Sequence, residues 1–259
     1  MTLLLDLGNT RLKAAWRRPE GGPGPLGEAD HRSLGIAAAL EVVLGMAPGG
    51  ARVQADAALV ANVAGEAAGE ALATALRTRG VAVRFLRAVP EACGVRCAYA
   101  EPSRLGADRW AALLGARTLT GGACLVVDAG SALTVDAMAP AGRHLGGWII
   151  PGMNLMIDAL EARTGDLGAL RRASSTGASV PFPADTAPAM EQGAQLAALG
   201  AVQVARTRLE AHCGAPARLL VTGGDAGRLL ADIGDAEHVP DLVLRGLARA
   251  AEGLAAELS

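Results

Sequence analysis

Apolar residues in this chain fall into short blocks whose internal spacing switches between a strand period and a helix period. Thr2–Leu7 (TLLLDL) is almost wholly apolar, the pattern of a strand buried on both faces. Arg11–Trp16 reads as a second strand, folded back on the first around Gly8-Asn9-Thr10. The Gly/Pro-rich stretch Pro19–Gly27 predicts a loop. Helical spacing follows over Leu34–Met46 and Glu66–Thr78, with short strands predicted at Ala57–Ala61 and Val81–Leu86. Pro102-Ser103 predicts the entry to a helix reaching Leu119, with Ser103 as its cap.

The second half repeats this grammar. Cys124–Asp128 predicts a strand, Leu133–Met138 its hairpin partner, and His144–Ile150 a third strand broken by Pro151-Gly152. A helix is expected over Met153–Ala162, then an irregular active-site or interface loop over 164–185, rich in Ser, Gly, Pro and Thr. Long helices are expected over Thr186–Ala211 and Leu242–Leu258, around a strand at Arg218–Thr222 that ends in Gly223-Gly224. Each half runs strand, hairpin, then alternating helices and strands. That order predicts an α/β fold with a mixed sheet in each of two halves, 1–120 and 121–259.

The two halves also share a phrase. Residues 3–12 read LLLDLGNTRL and residues 125–134 read LVVDAGSALT, so that Asp6 aligns with Asp128 and Gly8 with Gly130 without a gap. A buried strand ending in Asp-x-Gly-polar makes a tight turn whose glycine lets backbone approach a ligand. Free amides in such a turn suit phosphate oxygens, and the aspartate can hold a cation beside them. Two unrelated strands could each end this way. Two matched copies argue instead for duplicated halves that grip one phosphorylated ligand in a cleft between them.

Composition narrows the class. With 51% hydrophobic and 19% charged residues the 259-residue chain is folded rather than disordered. Aromatics at 2% argue against a base-stacking nucleic-acid binder, and a net charge of -2 offers no footprint for DNA or an anionic membrane. No signal or transit segment is visible at the N-terminus, and no apolar stretch is long enough to span a bilayer. Cys93, Cys97, Cys124 and Cys213 lack zinc-like or redox-motif spacing, as expected of reduced, structural thiols in a cytosolic protein. The four histidines are scattered singly, and none is assigned to a metal or a base.

Four blocks carry candidate chemistry. In Asp6-Leu7-Gly8-Asn9-Thr10-Arg11-Leu12-Lys13, the Gly8–Thr10 amides would meet phosphate, Asp6 a metal, and Lys13 would neutralise charge. An ordinary Asn/Gly hairpin with a solvated lysine is the competing account, and Walker spacing is absent. In Gly106-Ala107-Asp108-Arg109, an acid can accept a proton from a substrate hydroxyl while the arginine binds an anion. A surface Asp-Arg pair would look the same. Asp128-Ala129-Gly130-Ser131-Ala132-Leu133-Thr134-Val135-Asp136 offers two hydroxyls and two carboxylates, a set of hard oxygen ligands. Gly146-Gly147-Trp148-Ile149-Ile150-Pro151-Gly152 suggests close backbone contacts at both ends of a strand, or a simple buried strand between turns. Thr222-Gly223-Gly224-Asp225 is a weaker fifth element, a place where a nucleotide's adenosine could rest.

Taken in order, DxGNTxxK, GxDR, DxG[ST]AxTxD and GGxIxPG resemble the type III pantothenate kinases, from Met1 to about Gly193. That family belongs to the acetate and sugar kinase, chaperone and actin superfamily, so the resemblance implies duplicated ribonuclease-H-like halves, each a mixed sheet flanked by helices, with an interdomain cleft. It implies ATP-dependent phosphorylation of pantothenate, the first step towards coenzyme A. Asp6, Leu7, Gly8, Asn9, Thr10, Arg11, Leu12 and Lys13 would form the ATP phosphate loop, and Ser131 would contact ATP from the second turn. Gly106, Ala107, Asp108 and Arg109 would hold pantothenate, with Asp108 as catalytic base and Tyr99 and Thr186 as further substrate contacts. Asp128 would bind the potassium or ammonium ion the family uses alongside Mg-ATP. The family usually has Thr at the position of Ser131, and the hydroxyl is retained. A cytoplasmic homodimer is implied, with no nucleic acid or membrane partner. Two alternatives stay open: an accessory transcription regulator with a vestigial nucleotide site, and a kinase of the same superfamily acting on another small alcohol.

Overall fold

In a computed structural model, residues 1–18, 21–24, 27–46, 55–163 and 181–256 are described. They form two compact units. Unit one comprises Met1–Gly122, Met138–Gly146 and Asp241–Ser259, and unit two Ala123–Ala137 and Gly147–Pro240.

Unit one is built on a five-stranded sheet. Its strands are β1 (Thr2–Leu7), β2 (Arg11–Trp16), β3 (Gly27–Asp30), β4 (Ala57–Asn62) and β5 (Ala82–Phe85), in the spatial order 3-2-1-4-5. β1 pairs antiparallel with β2 and parallel with β4, so it is central and buried at Leu3, Leu4, Leu5 and Leu7. That position explains its run of three leucines, Leu3 to Leu5. One face of the sheet is covered by α1 (His31–Leu34), α2 (Ile36–Gly45) and α3 (Glu66–Arg77), whose Leu40, Val43, Leu72 and Leu76 join Leu5, Leu7, Leu12 and Val60 in one core.

α4 (Ala107–Leu119) is buried from Arg109 to Ala116. It packs against β4 and against α8 (Leu242–Ala256), which returns from the far end of the chain. The crossing of the two helices is set by glycines. A Cβ on Gly115 would meet Gly246 N at 3.1 Å, and one on Gly246 would lie 2.5 Å from the Ala111 carbonyl carbon. With few aromatics to fill a wide gap, the helices close it by bringing backbones together.

Unit two repeats the sheet order. β8 (Cys124–Ala129), β9 (Ala132–Ala139) and β10 (Arg143–Pro151) are followed by β11 (Arg218–Thr222) and β12 (Glu237–His238). Their spatial order is β12-β11-β8-β9-β10, which is again 3-2-1-4-5 read from β10. As β1 runs parallel to β4, β8 runs parallel to β11, with Asp6 beside Ala61 and Asp128 beside Thr222. The shared phrase of the sequence therefore occupies the same central strand and turn in both sheets. Among the described residues, helices α5 (Met153–Arg163), α6 (Thr186–Cys213) and α7 (Ala226–Leu230) belong to the same unit. The short ribbon of β6 (Glu91–Ala92) and β7 (Val95–Arg96) belongs to unit one, as do the first four residues of β10, and pairs through Arg96 with Arg143 there.

Several local expectations are corrected. The helix predicted from Ser103 begins at Ala107: Pro102–Arg104 is a single 3-10 turn, and Leu105 and Gly106 are extended, with ψ of 127° and 140°. Ser103 therefore does not cap it, and Gly106 is the residue at the cap. The helix predicted over Leu34–Met46 is split at Gly35, whose φ of 80° no helix allows. Gly27, expected in a loop, opens β3. The irregular loop is described only over 181–185, and 164–180 lie outside the described residues. Asp185, the last residue of that loop, caps α6 by accepting the Thr186 amide at 2.6 Å.

Candidate active site

Unit one brings the first turn and the GxDR block to one place. The Gly8 amide donates to Arg11 O at 3.0 Å, closing a hairpin whose two loop residues are Asn9 and Thr10. Register sets Lys13 directly across from Asp6, so a cation faces the carboxylate on neighbouring strands. Leu7 and Leu12 are buried in the core and anchor both arms, which leaves their backbone alone to face a ligand. Arg11 is turned outward into an ion pair with Glu28 on β3.

A histidine clamps the turn from behind. His31 is buried, and its Nε2–H donates to Gly8 O at 2.7 Å, while its own amide donates to Thr10 O at 3.1 Å. Asp30 holds His31 in place by capping α1, accepting from the Arg32 and Ser33 amides at 2.9 and 3.1 Å. The bond from Ser33 N–H in particular lowers the Asp30 pKa below its ordinary value. Sequence reasoning missed this clamp. A single histidine in a short helix carries no periodic signal.

Behind the hairpin, the Val63 amide donates to Leu7 O at 3.0 Å, and a Cβ on Gly106 would sit 3.8 Å from Val63 Cγ1. The GxDR block thus stands one residue away from the end of β1. The same Cβ on Gly106 would come within 2.8 Å of Asp108 Oδ1. The glycine of the motif is there to leave room for the carboxylate. Asp108 lies in the first turn of α4, where its charge meets the positive end of the helix dipole, and its Oδ1 accepts the Arg109 amide at 2.6 Å. The Arg109 side chain is 6% exposed, with Nη1 donating to the Tyr99 hydroxyl at 3.1 Å and its guanidinium 6.0 Å from the Tyr99 ring centre. Tyr99, Asp108 and Arg109 are therefore one cluster.

In unit two the Asp128 turn is braced by two glycines. The Gly152 amide donates to Ser131 O at 3.1 Å, and a Cβ on Gly152 would stand 2.7 Å from that oxygen. The Pro-Gly ending of the fourth block thus lies against the third. From the other side, a Cβ on Gly223 would lie 2.5 Å from Asp128 Oδ1, and the Asp225 amide donates to Ala129 O at 2.9 Å. A side chain at Gly223 would crowd the Asp128 carboxylate and the Ala129 carbonyl, and one at Gly152 the Gly130 and Ser131 carbonyls, so only glycine backbone packs this closely against the turn. That donor set, a carboxylate with neighbouring carbonyl oxygens, has the hard-oxygen chemistry that a hard cation takes. Asp136 is fully buried on β9, and Ser131 is exposed. Thr186 opens α6. Among the described residues, no group of three His, Cys, Asp or Glu side chains gathers as a metal site.

Comparison with known proteins places this architecture. Over 98% of the chain, the fold matches a protein from Campylobacter jejuni described as a Baf family transcriptional activator (TM-score 0.60, 21% identity, 99% of that chain covered). It matches a protein from Sinorhizobium meliloti described as a 2-dehydro-3-deoxygalactonokinase at TM-score 0.61 and 15% identity, covering 98% and 99% of the two chains. A ROK family glucokinase from Streptomyces griseus follows at TM-score 0.51 and 12% identity, covering 95% and 97%. These likenesses establish the duplicated ribonuclease-H-like fold that sugar kinases share.

Sequence then gives the family. The model of the type III pantothenate kinases matches residues 2–208. A type III pantothenate kinase of Azoarcus sp. (strain BH72) is 39% identical, covering 99% of this chain and 93% of its own. One from Aromatoleum aromaticum is 41% identical over 96% of both. The chain belongs to the type III pantothenate kinase family.

Proposed function

We propose that this protein transfers the γ-phosphoryl group of Mg-ATP to the primary hydroxyl of pantothenate, giving 4'-phosphopantothenate in the first step of coenzyme A synthesis. The observation that carries the reading is the juxtaposition, in a chain of this family, of the Asp6–Lys13 hairpin with the Gly106–Arg109 helix start.

Each residue then has a role. The amides of Gly8, Asn9 and Thr10 hold phosphate oxygens, and Lys13 neutralises charge on the transferring group. Asp6, Leu7, Arg11 and Leu12 shape the same loop, the two leucines through backbone alone. Ser131 contacts ATP from the second turn. Asp108 orients the pantothenate hydroxyl and takes its proton as it attacks in line. Gly106, Ala107 and Arg109, with Tyr99 and Thr186, hold the substrate, and Arg109 meets its carboxylate as a guanidinium fork. Charge stabilisation by pre-placed donors is where most of the catalysis of phosphoryl transfer lies. Asp6 would hold magnesium, which would supply charge screening to the phosphates when bound. Asp128 would hold the potassium or ammonium ion. The Asp128 carboxylate and the Ala129 carbonyl beside Gly223 are hard oxygen donors that support that assignment.

The half 1–120 carries the first turn and the substrate motif, and 121–259 the second turn. The enzyme works in the cytoplasm as a homodimer. The free cysteines support the compartment, with burial pushing the Cys93 thiol pKa up and keeping it protonated. No helix among the described residues is long and apolar enough to cross a membrane.

The test is direct. Purified protein incubated with Mg-ATP and pantothenate should yield phosphopantothenate by mass spectrometry, faster in K⁺ than in Na⁺ at constant ionic strength. Absence of product would overturn the reading, and equal turnover in both salts would remove the cation from Asp128.

A further inference from the structure

The fourth sequence block is explained at its Pro-Gly end, where Gly152 meets the Asp128 turn. Its beginning is not. Two residues before Gly146, β10 carries His144, which is 2% exposed and lies in unit one. A buried histidine commonly just fills core volume, as a leucine could. This one instead makes directed contacts with a segment that ends at Tyr99. β7 stops at Arg96, and two bonds carry the chain beyond it. The Cys97 amide donates to Pro90 O at 2.9 Å, and the Ala98 amide donates to His144 Nδ1 at 3.4 Å. Accepting that amide requires Nδ1 to be unprotonated, so the imidazole proton sits on Nε2. The same ring lies parallel to Tyr99, at 6.2 Å between centroids and 14° between planes, an offset stack.

We propose that His144 is a positioning residue for pantothenate. It acts through Tyr99, by fixing the tyrosine's backbone approach with Nδ1 and its ring plane by stacking. The consequence runs outward. The Tyr99 hydroxyl accepts from Arg109 Nη1 at 3.1 Å, so its own hydrogen is directed away from the arginine and towards a substrate acceptor. The ring also sits 6.0 Å from the guanidinium it steadies. His144, Tyr99 and Arg109 form a relay of shape: a buried ring, a half-buried ring, then a cation. No proton moves along it. The inference rests on the reading that Tyr99 and Arg109 receive pantothenate.

Two substitutions separate the contacts. His144→Phe keeps a ring to stack and loses the acceptor. His144→Asn keeps an acceptor where Nδ1 stood and loses the ring. Loss of one such contact is expected to raise the KM for pantothenate about five- to tenfold, leaving kcat and the KM for ATP within about twofold of wild type. In a Tyr99→Phe background the same substitutions should add little, because residues acting through one another are not additive. A merely structural histidine predicts something else. Its replacement would lower the melting temperature and kcat together, and its effect would multiply with that of Tyr99→Phe.

Tyr99 is the only tyrosine in the chain, so ¹³C-tyrosine labelling gives one ring signal in the NMR spectrum. His144→Asn should move that signal by removing the ring current of the stacked imidazole. Pantothenate KM values within about twofold of wild type in both variants would overturn the proposal. So would full multiplication with Tyr99→Phe. If the wild-type protein makes no phosphopantothenate, the functional reading falls by itself. The Tyr99 signal then decides whether His144 holds the ring, an unmoved signal overturning the inference.

Discussion

At the scale of single residues, the site turns on where one carboxylate can stand. Asp108→Asn keeps the shape of the side chain and its acceptor towards the Arg109 amide, but cannot take the substrate's proton. Loss of a general base typically costs about 10²–10⁴-fold in rate. We expect kcat to collapse by that order in steady-state assays while the ATP dissociation constant, measured by calorimetry, changes little. A turnover within a few-fold of wild type would make Asp108 a positioning residue. Gly106→Ala tests the same carboxylate without touching it. The backbone of Gly106, with φ of -54° and ψ of 140°, suits any residue, so alanine brings no strain. Its methyl would stand 2.8 Å from Asp108 Oδ1 and push it aside. A displacement of this kind can cost about 10²-fold. The expected result is a large fall in kcat with a nearly unchanged melting temperature, and an unchanged kcat would place the carboxylate elsewhere in the working enzyme.

At the scale of elements, the Gly106–Arg109 block depends on a helix held from the far end of the chain. α4 is carried on α8 through Gly115 and Gly246, so a side chain at either position must push the helices apart. Gly246→Val should destabilise unit one by about 1–3 kcal/mol or more, the range for overpacking a filled core, read as a lower denaturant midpoint. An unchanged midpoint would mean that the crossing is looser than the glycines suggest. This contact also marks where the sequence stops being legible. Strands such as β1 and β8 announce themselves because burial on both faces writes a continuous apolar run. The repeated turn does too, since its Asp-x-Gly stands in register in both halves. The start of α4 does not, because Ser103 and Pro102 make a good entry signal that a 3-10 turn absorbs. β3, β6, β7 and β12 span two to four residues and are too short to show any period. The clamps His31 and His144 were invisible for another reason. Their partners lie 23 and 46 residues away, and only the fold brings them together.

At the scale of the whole molecule, α6 carries both a cluster of charges and an exposed apolar line. Arg206 on this helix holds Asp235, and the Ala217 amide, then Arg206, hold Glu210; these bonds keep both carboxylates below their ordinary pKa values of 3.8 and 4.5. A carboxylate depressed in the folded state contributes stability above its ordinary pKa, and that contribution drains as pH falls through the lower folded value. Asp235→Asn should therefore lower stability slightly at neutral pH and change it little well below about pH 4, so that urea midpoints fall less steeply as pH drops from neutral to acid. The other face of α6 argues for assembly. Ala187, Met190, Ala194, Ala198, Val202, Ala205 and Leu209 form one buried stripe. A second apolar line, Leu196, Gly200 and Val204, recurs every four residues on the outer side, where Leu196 is 58% and Val204 47% exposed. A helix apolar on two sides has a second surface to bury. That line is our candidate for the homodimer interface. Sedimentation equilibrium should give twice the chain mass for the wild type, and Leu196→Glu with Val204→Lys should reduce it to one. The double variant should also keep its circular dichroism, since neither side chain touches the buried stripe. A dimer that survives both charges would place the interface on another face, and a wild-type monomer with full turnover would show that this enzyme needs no partner copy.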